Sequence, residues 1–151
     1  MSTVRPIEIA RGAWGLVLLL APAPVLRRFH GVRVDRTSVV VARVLGARHL
    51  TQAVLSGVDP SPEVLAMGVW VDGAHGASAL GLAAVDHTRA RAGLLDTGLA
   101  LTWAIAGHRA LRHPDAQSPR HDRRRDALAR VVLRHVPGGR RLMAEAADRS
   151  R

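Results

Sequence analysis

Cysteine, lysine, asparagine and tyrosine are all missing from this 151-residue chain. Without cysteine there is no disulfide, no thiolate nucleophile and no cysteine-ligated zinc. Aromatic residues amount to 3%, so no aromatic platform supports nucleic-acid binding beside the basic charge. Gly-x-Gly-x-x-Gly, P-loop and Gly-x-Ser-x-Gly motifs are absent too, and with them the nucleotide cradles and the nucleophile elbow. No catalytic signature remains, and the expectation is a protein that is not an enzyme and carries no cofactor and no metal.

What is present is an apolar chain, 48% hydrophobic, too apolar to be disordered throughout. Its net charge of +10 is carried on the basic side by arginine alone. The composition, arginine with abundant Ala, Val and Gly, suits a high-GC genome. The charge is unevenly placed. Residues 1–108 hold ten arginines against seven acids, a net +3, while residues 109–151 hold twelve against five, a net +7. The chain therefore divides into an apolar body, residues 1–111, and a basic tail, residues 112–151.

Four apolar stretches fill the body: residues 12–26, 37–58, 64–85 and 92–111. Pro22 and Pro24 close the first. Asp59-Pro60-Ser61-Pro62 separates the second from the third, with Pro62 suited to a helix start. About 20 residues of helix cross a bilayer core of ~30 Å, and the last three stretches have that length. The first is short and needs Arg11 and Arg27 to snorkel. None is uniformly apolar. The second carries Arg43 and Arg48, each costing about 2.5–3.5 kcal/mol mid-membrane against ~0.3–0.6 returned per Leu or Val. It does not insert alone.

The third stretch offers the neutralising charge. In an antiparallel hairpin about Pro60, Arg48 and Asp72 are equidistant from the turn, and each lies near the middle of its helix. A buried Arg–carboxylate pair offsets much of the insertion cost and is expected to set the hairpin register. The faces agree. Gly68, Asp72, His75, Gly76, Ala79 and Ala83 share one side of the third stretch, while Met67, Trp70, Val71, Ala74 and Val85 cover the other without a charge. Arg48, His49, Gln52 and Ser56 stripe the second stretch, and Gly93, Asp96, Ala100 and Gly107 the fourth. Polar and small residues inward, large apolar ones outward, is the pattern of helices packed in lipid; a soluble helix reverses it. The fold expected is all-α, a four-helix transmembrane bundle in the cell membrane, multi-pass, with a soluble helical bundle as the alternative. A secretory signal ending at Ala21-Pro22-Ala23 competes with a retained first helix. Pro24, a poor residue for peptidase cleavage, and Glu8 favour retention.

Leu20-Ala21-Pro22, the segment Arg43-Val44-Leu45-Gly46-Ala47-Arg48-His49-Leu50 and Val71-Asp72-Gly73-Ala74-His75 together resemble a family of small, uncharacterised four-helix membrane proteins of actinobacteria, mycobacteria included. The resemblance spans about residues 10–110 and leaves out the tail. It implies an integral membrane location and carries over no catalytic residue. The positions matched are those around Arg48 and the Asp72/His75 pair.

The candidate polar cluster is Arg43, Arg48, His49, Asp72, His75 and Asp96. Asp72, His75 and His49 offer a proton relay or a metal site, against the plainer reading of a structural ion pair with a hydrogen-bonded histidine. Arg43 faces away from Arg48 and either snorkels or pairs with Asp96. Gly73 and Gly76 read as close-packing sites, and His108, His113 and His121 as a loose scatter. In the tail, residues 113–119 read as a linker and residues 122–136 as an amphipathic helix. Leu128, Val131, Val132 and Val136 form its apolar side, and Arg123, Arg130 and Arg134 face anionic lipid; a solvated tail is the alternative. Arg27, Arg28, Arg33 and Arg36 in the first loop and Arg89 and Arg91 in the third pull those loops to the cytoplasm, but the arginines of the tail and N-terminus favour both ends inside. The leading functional expectation is a non-catalytic accessory subunit or scaffold in contact with the lipid bilayer and with other membrane subunits. A small proton-coupled carrier using Arg48, Asp72 and His75 is the second, and a soluble basic binding protein the third.

Overall fold

The computed structural model describes residues 5–112 and 123–148. The described residues are all-α, 86% helical and without a strand. Seven helical segments follow in order: α1 Pro6–Leu20, α2 Pro22–His30, α3 Arg36–Ser56, α4 Pro62–Val85, α5 Ala90–Arg112, α6 Arg123–His135 and α7 Gly139–Asp148.

Local chemistry sets these limits. Pro6 opens α1 and Pro62 opens α4 at the first helical position, where a missing N–H costs nothing. The chain turns through 98° between α1 and α2, because the Pro22 ring denies the helix its next hydrogen bond. The first helix thus begins six residues before the expected start at residue 12 and breaks at Ala21 instead of running to residue 26. A π-helical turn, Val25–His30, ends at Gly31 with φ 69°, a left-handed conformation open to glycine. Asp35 caps α3 by accepting the Ser38 N–H at 2.7 Å, and the Ser38 hydroxyl accepts the Asp35 N–H in return, a reciprocal capping box. Ser61 caps α4 from the Val64 N–H.

The helices pair through glycine. α1 and α3 lie antiparallel and touch where a Cβ on Gly15 would stand 2.8 Å from the Gly46 carbonyl oxygen, and one on Gly46 2.7 Å from that of Gly15. α4 and α5 close on each other where a Cβ on Gly93 would come within 2.5 Å of the Ala79 carbonyl oxygen. Gly76 packs on Ala100, but Gly73 faces open space and is not a packing site. The α3–α4 hairpin expected about Pro60 is the looser contact. Its helices meet mainly through long polar side chains.

Two apolar clusters sit at opposite ends of the bundle. One joins Leu18, Val25, Leu26 and Ala42 beneath the α1–α2 turn. The other joins Val64, Leu65, Ala66 and Met67 of α4 to Leu111, Ala129, Leu133 and Ala146. The second cluster corrects the picture of the tail. α6 does not lie free with Leu128 and Val131 as its packing side, since those two are 46% and 56% exposed. Ala129 and Leu133 face inward and are fully buried on α4. Trp70 donates its indole N–H to the Pro137 carbonyl at 2.9 Å. The small face of α4 behaves as expected, but Met67 and Trp70 opposite it meet the tail. α7 was not anticipated. The expected linker at residues 113–119, with His113 and also His121, lies outside the described residues.

Among the described residues no single helix is long and apolar enough to cross a membrane. The bent pair α1 and α2 passes that test together, by length and composition only.

Candidate functional site

Between the two apolar clusters lies a buried polar cluster fed by all four long helices. Its centre is Asp72 on α4, 1% exposed. Arg11 of α1 donates to both of its carboxylate oxygens, at 2.9 and 3.4 Å. Arg48 of α3 donates to Oδ1 at 2.7 Å and to the Val71 carbonyl at 3.1 Å. Gln52 of α3 donates to Oδ2 at 3.1 Å and to the Gly68 carbonyl at 3.2 Å. A carboxylate accepts at about four lone-pair sites, and these contacts use them. Arg48 and Asp72 meet at mid-helix, as their equal distance from Pro60 suggests.

Arg11 is the residue sequence reasoning misplaced. It does not snorkel: it is 3% exposed. Its Nε lies 3.0 Å from Glu8 Oε2, and its guanidinium stacks 5.2 Å from the Trp103 ring centroid. Glu8, itself buried, takes a second ion pair from Arg5 at 3.1 Å. Three guanidinium groups therefore enclose two carboxylates. A signal for this was present in the sequence. Glu8, Arg11, Gly15 and Leu18 recur at helical spacing on one face, and that is the face α1 buries.

His49 and His75 border the cluster. His49 is buried and packs 4.8 Å from the Trp103 ring and 6.4 Å from that of His75. No side-chain hydrogen bond joins either to Asp72 among the described residues. Asp96 is not bound by Arg43. It faces His30, with 3.1 Å between Asp96 Oδ1 and His30 Nε2, because the α2 turn carries His30 under α5. Arg43 lies exposed on α3, apart from the cluster. Of the three tail arginines expected to face lipid, Arg130 reaches Glu63 of α4 at 3.5 Å, and Arg134 is exposed. The side chain of Arg123 lies outside the described residues.

Among the described residues no group of three or more His, Asp or Glu is placed to hold a metal ion. The void bounded by Glu8, Arg11, Gln52, Asp72 and Trp103 is about 10 Å³, roughly a single water probe, so the cluster as folded admits no organic substrate. Charges outside the helices are held differently. The Ser38 N–H holds the Asp35 carboxyl below its ordinary range. The Thr88 hydroxyl, with Arg89, does the same for Asp86. Both mark the polar loops that bracket α3, α4 and α5. Compared with known proteins, the chain matches no family model, no curated protein and no solved structure.

Proposed function

We propose that the chain is a small multi-pass membrane protein without catalysis of its own, acting as an accessory subunit or scaffold. One observation carries the reading: its polarity is inverted. Glu8, Arg11, His49, Gln52 and Asp72 are buried, while Ile9, Leu16, Val17 and Leu20 of α1, Val40, Val41, Val44 and Val54 of α3, Leu80, Leu82 and Val85 of α4, and Leu94, Leu101 and Ile105 of α5 are exposed. Water gives no reason to bury the charges and display the side chains that cost most to solvate. Hydrocarbon does, since lipid tails are as apolar as leucine and an unpaired charge is costly among them.

That neither α3 nor α4 qualifies as a span alone fits the same design, whereas α1, at 15 residues, is short. Taken singly, α3 and α4 carry the full cost of Arg48 and Asp72, although each neutralises the other in the bundle. The four helices are insertion-competent as a set. Sodium carbonate extraction tests this: the chain stays with the membrane pellet, and release into the supernatant favours the soluble basic binding protein instead. Purification in mild detergent with its partners then separates a scaffold from the second reading, a proton-coupled carrier. His49 and His75 beside Asp72 are what favour that carrier, and proton flux in liposomes abolished by Asp72→Asn is its signature.

A further inference from the structure

On α5, the last turns change character within two turns of helix. Ala104 and Ile105 are apolar, and His108, Arg109 and Arg112 follow towards the helix end. Together with Val69 of α4 they line an open groove of about 430 Å³, within the ~300–1,000 Å³ range of small-ligand sites. Arg109 and Arg112 are exposed and have no carboxylate partner among the described residues. At the groove, Glu145 Oε2 lies 3.9 Å from His108 Nδ1. The helix dipole alone favours cations at this end of α5, but it gives no reason for an apolar trough beneath them.

We propose that this groove binds an anionic phospholipid. The phosphate lies against Arg109 and Arg112, and the upper acyl chain lies along Ala104, Ile105 and Val69. The inference rests on the membrane reading above and deepens it by naming a lipid class and its site. Charge complementarity and the order of residues along α5 identify the occupant. In a bilayer the apolar wall lies deeper than the arginines, so a headgroup and its chain meet matching surfaces at matching depths. An interhelical pocket with basic residues at the interface is the physical form that headgroup recognition takes.

The test uses the full-length chain in nanodiscs of phosphatidylcholine with or without phosphatidylglycerol, and native mass spectrometry counts the lipid that stays bound. The wild type retains phosphatidylglycerol over phosphatidylcholine. Arg109→Gln with Arg112→Gln lowers that retention by about 25-fold, taking roughly fivefold per arginine near the interface. These are surface changes that leave the buried cluster intact. Ala104→Trp, which fills the trough and keeps both charges, also displaces the lipid. Equal retention of the two lipids overturns the proposal, as does indifference to the paired arginine change. Competition by inorganic phosphate or glycerol 3-phosphate at the strength of phosphatidylglycerol also overturns it, since the site is then one for simple anions. Failure of the membrane reading looks different: the chain leaves the pellet on carbonate extraction, before any lipid is counted.

Discussion

Asp72→Asn is the sharpest perturbation the structure offers. The change keeps the side chain's shape, removes the charge and turns one acceptor into an amide donor. At 1% exposure the new amide has Arg11, Arg48 and Gln52 around it, all donors. Breaking a buried ion pair from one side costs about 3–5 kcal/mol. Here the two guanidinium groups lose it unequally. Arg48 is 21% exposed at the side chain and keeps the Val71 carbonyl, so water and backbone recover part of its loss. Arg11 is 3% exposed and keeps Glu8 and the Trp103 face. The expected loss is ~4 kcal/mol, a large share of a total stability of about 5–15 kcal/mol. Reversible unfolding in mixed micelles, followed by tryptophan fluorescence, measures it, and Trp103 over Arg11 is a local reporter. Adding Arg11→Met removes one orphaned cation, so the double variant loses at least ~2 kcal/mol less than the sum of the single losses. A loss under ~1 kcal/mol for Asp72→Asn, the level of an exposed ion pair, refutes the account of the centre. So does simple additivity in the double variant.

Three further outcomes follow from the geometry. Gly93→Ala drives a Cβ to 2.5 Å from the Ala79 carbonyl oxygen and loses about 1–3 kcal/mol through forced separation of α4 and α5. Gly73→Ala, with open space around it, gains up to ~1 kcal/mol of helix propensity. Thermal unfolding of the two variants side by side checks the contrast, and equal effects contradict the packing. Ser61, fully buried, caps α4 and donates to Asp126 of α6 at 2.5 Å. Ser61→Ala costs ~1–3 kcal/mol and loosens the tail, read as faster proteolysis within α6 than within α4; equal rates count against the latch. The Asp35 carboxyl titrates below its ordinary range because the folded state gives it the Ser38 N–H. Its cap therefore contributes fully above the unfolded value and is lost as pH falls through the lower, folded value. Protection of the Ser38 amide, measured against its intrinsic exchange rate at each pH, falls in that acid window, and this fall is absent in Asp35→Asn.

Much of the architecture was legible because helical periodicity is written locally. Residues 37–58, 64–85 and 92–111 come within about two residues of α3, α4 and α5 at each end, since proline, capping residues and turns mark their limits. The Arg48–Asp72 pair could be placed by counting from Pro60, because a hairpin relates positions at equal distance from its turn. Arg11 escaped for the opposite reason. A lone arginine near a helix end is consistent with snorkelling, and only the packing of α1 against α3, with α4 alongside, tells it which carboxylate lies within reach. The pairing of Asp96 with His30 instead of Arg43 depends likewise on the 98° break after α1.

From residue order alone came α3, α4 and α5, the inward face of α4, and the hiding of Arg48, His49, Gln52 and Asp72; α7, the break after α1 and the burial of Glu8 and Arg11 did not. The contacts between faces came from the fold: Arg11 joined to Asp72, Trp103 laid beneath it, and α6 seated on α4 by Ala129 and Leu133 with Leu128 and Val131 left exposed. Periodicity states which side of a helix is turned inward. It carries no information about which other helix is waiting there, because that depends on how closely glycine lets two backbones approach and on where a proline turns the chain.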